Sequence, residues 1–133
     1  MSFLVDTCVW SLALRRDKPD AIPEVDELRR ALEAGDEIFV TGLVLQELLQ
    51  GFNKPKAYNQ IIEYFSVLPF IVPEREDHIK AASLQNQCRK KGIQAGTIDA
   101  LLASLCIDRG IRILTVDKDF SQIAKISPLK VWS

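Results

Sequence analysis

Five carboxylates in this sequence have the type and spacing to do chemistry together: Asp6, Glu47, Asp99, Asp117 and Asp119. Asp6 directly follows the apolar run Phe3-Leu4-Val5, and Asp117 directly follows Ile113-Leu114-Thr115-Val116. Both runs read as short buried strands. Parallel strands put both carboxylates on the same edge of a sheet, where open α/β sheets bind their ligands near a topological switch point. Asp99 falls in the first turn of a helix whose stretch from Ile98 to Ile107 has no other charge. A helix that apolar is buried on most sides. A lone carboxylate there is costly unless it is paired or bound to a cation, although Asp99 could equally serve only to complement the helix dipole. Glu47 interrupts Leu43-Val44-Leu45-Gln46 and Leu48-Leu49, and a solvated face of an amphipathic helix would explain it as well. Asp119 shares a turn with Asp117. One of the two can bind a cation while the other caps the helix entered at Phe120, and Asp117 is favoured as the ligand because it follows the strand more directly.

Carboxylates gathered without a cation repel one another, and their pKa values rise. A hard cation resolves the conflict. An all-oxygen donor set suits Mg²⁺, with Mn²⁺ as a substitute, and not Zn²⁺. Such an ion polarises a phosphoryl oxygen and acidifies a bound water, which leads toward phosphodiester hydrolysis.

The elements that must position these groups follow from the pattern. After the first strand, Thr7 or Asp6 itself caps a helix carrying Val9, Trp10, Leu12 and Ala13. Asp17-Lys18-Pro19-Asp20 breaks that helix. Pro23 opens a second one, with Val25, Leu28 and Leu32 on one face and Gly35 as its stop. Glu37-Ile38-Phe39-Val40 reads as a strand, and Thr41 caps a helix closed by Gly51. A helix from about Lys56 to Val67 leads to Leu68-Pro69-Phe70-Ile71-Val72, a strand that Pro69 confines to a strand start or a sheet edge. Pro73-Glu74 opens a long helix with Ala81, Leu84 and Cys88 on one face, ended by Gly92. Thr97 caps the apolar helix, and Gly110 ends it. Arg112 to Val116 is the fourth strand, and Lys130-Val131-Trp132 a last one. Short apolar strands alternating with helices imply a single α/β domain over residues 1–133, a central parallel sheet of about four to five strands wrapped by helices.

Bulk properties set the outer limits. At 133 residues the chain is about one domain long, with an ordinary globular composition. With a net charge of -1, no large positive field is evident, so tight non-specific duplex binding is not suggested, while a nuclease stays compatible with it because bound divalent cations make an acidic site locally positive. Three cysteines without a CxxC or Cys/His cluster read as reduced thiols, those at 8 and 106 buried, and point to a cytoplasmic setting. No signal peptide is visible, and no apolar run reaches the length of a membrane span.

Four segments together resemble the PIN-domain family, and within it VapC-type toxins of toxin–antitoxin pairs. They are Phe3-Leu4-Val5-Asp6-Thr7, Val44-Leu45-Gln46-Glu47-Leu48, Thr97-Ile98-Asp99-Ala100-Leu101-Leu102-Ala103 and Leu114-Thr115-Val116-Asp117-Lys118-Asp119-Phe120. Each is a weak signal alone, but they occur in the family's order and span nearly the whole chain. The resemblance implies a Mg²⁺- or Mn²⁺-dependent endoribonuclease acting on RNA, a homodimer, and a cognate VapB-like antitoxin that blocks the acidic site. By position it implies Asp6, Glu47, Asp99 and Asp117 as catalytic metal ligands, Thr115 as a supporting hydroxyl and Asp119 as an auxiliary carboxylate. Two other readings stand beside it: a PIN-fold nuclease of RNA processing outside toxin–antitoxin systems, and a binding module without turnover.

Other residues have ordinary explanations. His78, the one histidine, lies among Glu74, Glu76 and Asp77 and is expected to be solvated. Trp10 and Trp132 are expected to anchor the core or an interface rather than stack bases. Arg89-Lys90-Lys91 suits a helix C-terminus, and would contact RNA phosphates only if that end faces the site.

Overall fold

The first strand, β1 (Ser2–Val5), is buried from Phe3 onward and lies at the centre of the sheet. The computed structural model describes residues 1–15 and 22–133, so the helix-breaking Asp17-Lys18-Pro19-Asp20 lies outside the described residues. Helix α1 (Thr7–Leu14) follows β1 directly, α2 (Pro23–Ala34) starts at Pro23, and β2 is Glu37–Thr41. After β2 come α3 (Gly42–Gly51), α4 (Pro55–Phe65) and β3 (Phe70–Ile71). The chain then runs through α5 (Arg75–Lys90), α6 (Thr97–Arg109), β4 (Arg112–Leu114) and α7 (Asp119–Ala124).

The strands are ordered β3-β2-β1-β4, and every pairing is parallel. The first three strands step outward in one direction. The chain then returns through α5 and α6 to place β4 on the other side of β1, with Val5 opposite Leu114. Adjacent strands whose connections leave in opposite directions form a switch point, and the sheet opens a crevice at their carboxyl ends. Asp6 is the first residue beyond β1 at that point, and its backbone N–H donates to Leu114 O at 2.9 Å.

Local chemistry explains most boundaries. Gly35 and Gly110 take left-handed conformations (φ 76° and 64°) that end α2 and α6, a geometry in which a Cβ is strained. Pro69 precedes β3, the edge strand, where its carbonyl accepts from Val40 N and its missing N–H disturbs no ladder. Helix α5 begins with a capping box between Glu74 and Asp77. Helix α6 is buried at every position from Ala100 to Cys106, packs along α5, and is hydrophobic for that reason.

Four expectations are corrected. The last strand reduces to a single parallel bridge between Ile113 and Val131. Strand β4 stops at Leu114 rather than Val116, because the Thr115 hydroxyl accepts from Asp117 N at 2.9 Å and turns the chain. The N-cap of α6 is Gly96, not Thr97, and α3 runs through Gly51 to its cap at Phe52. Among the described residues, no helix is long and apolar enough to cross a membrane.

Candidate metal centre

Asp6 ends β1 and caps α1, its Oδ1 accepting from Thr7 N at 2.8 Å. Its Oδ2 accepts from the Thr115 hydroxyl at 2.9 Å and the Cys8 thiol at 3.4 Å. Thr115, just beyond β4, is itself buried, so this hydrogen bond ties the two strand ends together. Burial raises the Asp6 carboxyl above its ordinary value, against the pull of these three hydrogen bonds and with a smaller push from Asp117.

Asp117 lies in the turn that Thr115 closes, and its Oδ1 accepts from Asp119 N at 2.9 Å. Asp99 is in the first turn of α6, and among the described residues its carboxylate accepts no hydrogen bond. Its position complements the helix dipole, but no hydrogen bond holds it as a cap. Carboxylate oxygens of Asp99, Asp117 and Asp119 lie within 4.8 Å of one another. The Asp99 carboxyl is pushed up to about 6, first by burial and then by the charges of Asp117, Asp6, Asp119 and Glu47.

Glu47 comes from α3. The Thr41 hydroxyl accepts from Val44 N to start α3, and burial of Val44 and Leu48 fixes which face of that helix meets the core. Glu47, between them, is exposed, and its Oε1 accepts from the Thr7 hydroxyl at 2.6 Å. Asp6, Glu47, Asp99 and Asp117 thus line one cleft of about 590 Å³, along with Thr7, Cys8, Ser11 and the Gly96–Ile98 turn. Among the described residues, no lysine, arginine or histidine lines it.

All six residues singled out for the site in the sequence therefore meet at one edge of the sheet, Asp119 through its contact with Asp117. Sequence reasoning missed Thr7 and Cys8. Cys8 is only half-buried in the cleft, not sunk in the core as its apolar neighbours suggested. Its thiol is raised by burial and by Asp6. Both lie within two residues of Asp6, at the strand-to-helix turn, which was the signal available. His78 is exposed and Trp10 is buried against Phe65 at 4.8 Å between ring centroids, as expected.

Crowded oxygen donors, with no cation lining the cleft among the described residues, define a cluster suited to a divalent metal, set at the switch point of a parallel α/β sheet. The family model described as PIN domain matches residues 3–126, and the chain belongs to the PIN-domain family. It is 32% identical to ribonuclease VapC1 of Rickettsia felis over 73% of this chain and 78% of that protein. It is 31% identical to ribonuclease VapC11 of Mycobacterium tuberculosis over 98% of this chain and 97% of that protein. Among solved structures it is similar to VapBC2 from Rickettsia felis bound to a DNA fragment from their promoter. There the TM-score is 0.74 with 23% identity, over 99% of this chain and 98% of that one.

Proposed function

We propose that this chain is a VapC-type toxin, a metal-dependent endoribonuclease that hydrolyses RNA in the cytoplasm, forms a homodimer and is held in check by a VapB-like antitoxin. The observation that carries the catalytic reading is the cleft itself, where carboxylates from four separate segments converge and, among the described residues, no cation lines it to neutralise them. Relatives named as VapC ribonucleases, one of them matched over nearly its whole length, support RNA as the substrate, and the likeness to VapBC2 supports a paired antitoxin.

The donor set fits Mg²⁺, and Mn²⁺ as its substitute: hard oxygens, several charges, and carboxyls whose protonation a divalent ion would reverse. Asp6, Asp99 and Asp117 would hold the ion, with Glu47 completing the set and Asp119 as auxiliary. When bound, the ion supplies a polarised phosphoryl oxygen and a more acidic water. The chain's own residues do the rest. Thr115 and the Thr7 amide fix the Asp6 carboxylate by hydrogen bonds to both of its oxygens. The Thr7 hydroxyl holds Glu47 at the cleft wall. The Asp117–Asp119 turn presents two carboxylates from one rigid loop. Carboxylates held this way need little reorganisation as charge develops on the phosphate.

Cleavage of RNA by purified protein, with EDTA and then with Mg²⁺ restored, tests the reading. Metal-independent cleavage, or binding of RNA without turnover under any divalent ion, would contradict it.

A further inference from the structure

A second hollow, of about 370 Å³, meets the acidic cleft at Gly96. It is lined by Gln85, Arg89, Ile93, Gln94 and Ala95 as well as that glycine. Its chemistry is the reverse of the cleft's: among the described residues it has one guanidinium, two side-chain amides and no carboxylate. It is also built rather than incidental. Gln85 Nε2 donates to Ala95 O at 2.9 Å, and Ile93 N donates to Cys88 O at 2.8 Å. Gly92 makes the left-handed reversal between them (φ 73°). These bonds pin the end of α5 to the segment that delivers Gly96 and Asp99. Arg89 is exposed, and among the described residues no carboxylate pairs with it.

A strand of RNA crossing the acidic cleft brings several phosphates, of which a metal at the carboxylates can neutralise only the one being cut. Its neighbours face Asp6, Glu47, Asp99 and Asp117 unless a protein cation meets them. We propose that the hollow beside Gly96 is a phosphate subsite for the nucleotide adjoining the scissile one, with the Arg89 guanidinium as its anchor. The planar fork of arginine matches a phosphate's oxygens. The hollow on the other flank of the cleft also has a cation, Lys118, but shares its lining with Glu24 and Asp117, so a phosphate there meets two carboxylates. The inference rests on the nuclease reading of the cleft and adds a direction to it.

The test is equilibrium binding of a short mixed-sequence single-stranded RNA, followed by fluorescence anisotropy across a KCl series. It uses the full chain in an Asp99→Asn background, beside metal-dependent cleavage by the wild type. Arg89→Gln should weaken binding about tenfold, the loss of one charge-assisted contact. It should also lower the salt slope by about 0.7, one single-strand phosphate contact. Arg89→Lys should keep the slope and lose part of the affinity. An unchanged slope in Arg89→Gln, with the wild type still cleaving RNA, overturns the subsite while leaving the nuclease reading intact. A slope that falls with Lys118→Gln and not with Arg89→Gln sends the strand across the other flank and overturns it equally. A wild type that neither cleaves nor binds RNA removes both.

Discussion

Two groups of carboxylates in this molecule meet opposite fates. Near the start of β2, Glu27 and Asp36 share Arg30. The guanidinium donates to both Glu27 oxygens at 2.8 and 2.7 Å and to Asp36 at 2.9 Å, and both carboxyls are held below their ordinary range, chiefly by those hydrogen bonds. In the crevice beyond β1 and β4, Asp6 and, from the first turn of α6, Asp99 have no arginine or lysine paired with them among the described residues, and both are raised by burial. The difference is not in the residue type but in the partner the fold provides. Where a carboxylate stabilises the structure, a cation comes with it. Where several are brought together with none, the fold accepts a cost that a bound divalent ion can offset.

The sharpest way to break this contrast is to remove one member of each group. Asp99→Asn should lower metal-dependent RNA cleavage on the order of a thousandfold, the scale of a lost metal ligand, with an unchanged circular dichroism spectrum. Arg30→Gln should leave cleavage at the wild-type level. Equal losses in the two variants would mean that the groups do not differ in function.

A second effect is metal-specific stabilisation. Mn²⁺ or Mg²⁺ at about 100 times its Kd should stabilise the wild type by about 2.7 kcal/mol, read as a rise in Tm. Asp99→Asn should lose most of this rise, and Arg30→Gln should keep it.

A third effect is smaller and comes from positioning. Thr7→Val removes the hydroxyl that holds Glu47 and should reduce cleavage about tenfold, the range for groups that orient metal ligands. It should also raise the Mg²⁺ concentration needed for half-maximal rate. Thr7→Ser keeps the hydroxyl and should restore both. A valine variant with wild-type metal dependence would leave Thr7 as a helix residue only.

The smallest effect is on pH dependence without metal. The Asp99 carboxyl rises to about 6 in the fold from an ordinary 3.8. Its protonated form is therefore favoured by folding. The stability it contributes is full below the ordinary value and is lost as pH rises through about 6. The carboxyls of Glu27 and Asp36 act in the opposite sense, losing stability as pH falls. The difference in Tm between metal-free wild type and Asp99→Asn isolates the first. The wild type should lose ground by about 1 kcal/mol across that interval, once solvent screening is allowed for. A pH-independent difference would show that Asp99 is not strained by its neighbours.

Much of this was legible in the sequence, and the reasons differ by residue. Asp6 was readable because Phe3-Leu4-Val5 is an apolar run that stops abruptly. Asp99 was readable because charge is conspicuous in a helix otherwise fit for burial. Glu47 was not decided by pattern, since an exposed glutamate on an amphipathic helix looks the same with or without a function. Its hydrogen bond to Thr7 spans 40 positions of sequence and exists only once α1 and α3 pack. The end of β4 was placed two residues late because Thr115 and Val116 have strong β propensity. A hydroxyl hydrogen bond within the turn overrides it. The cap of α6 was hidden for another reason: Thr97 has the better capping side chain, yet Gly96 takes the cap position and Thr97 lines the cleft.

The most direct measurement is cleavage of RNA by the wild-type chain after EDTA treatment, repeated with Mg²⁺ added back. Cleavage absent in EDTA, restored by Mg²⁺ and missing from Asp99→Asn is the predicted result. Cleavage that continues at full rate in EDTA, or that Asp99→Asn performs as well as the wild type, would contradict the assignment of the unpaired carboxylates to a metal.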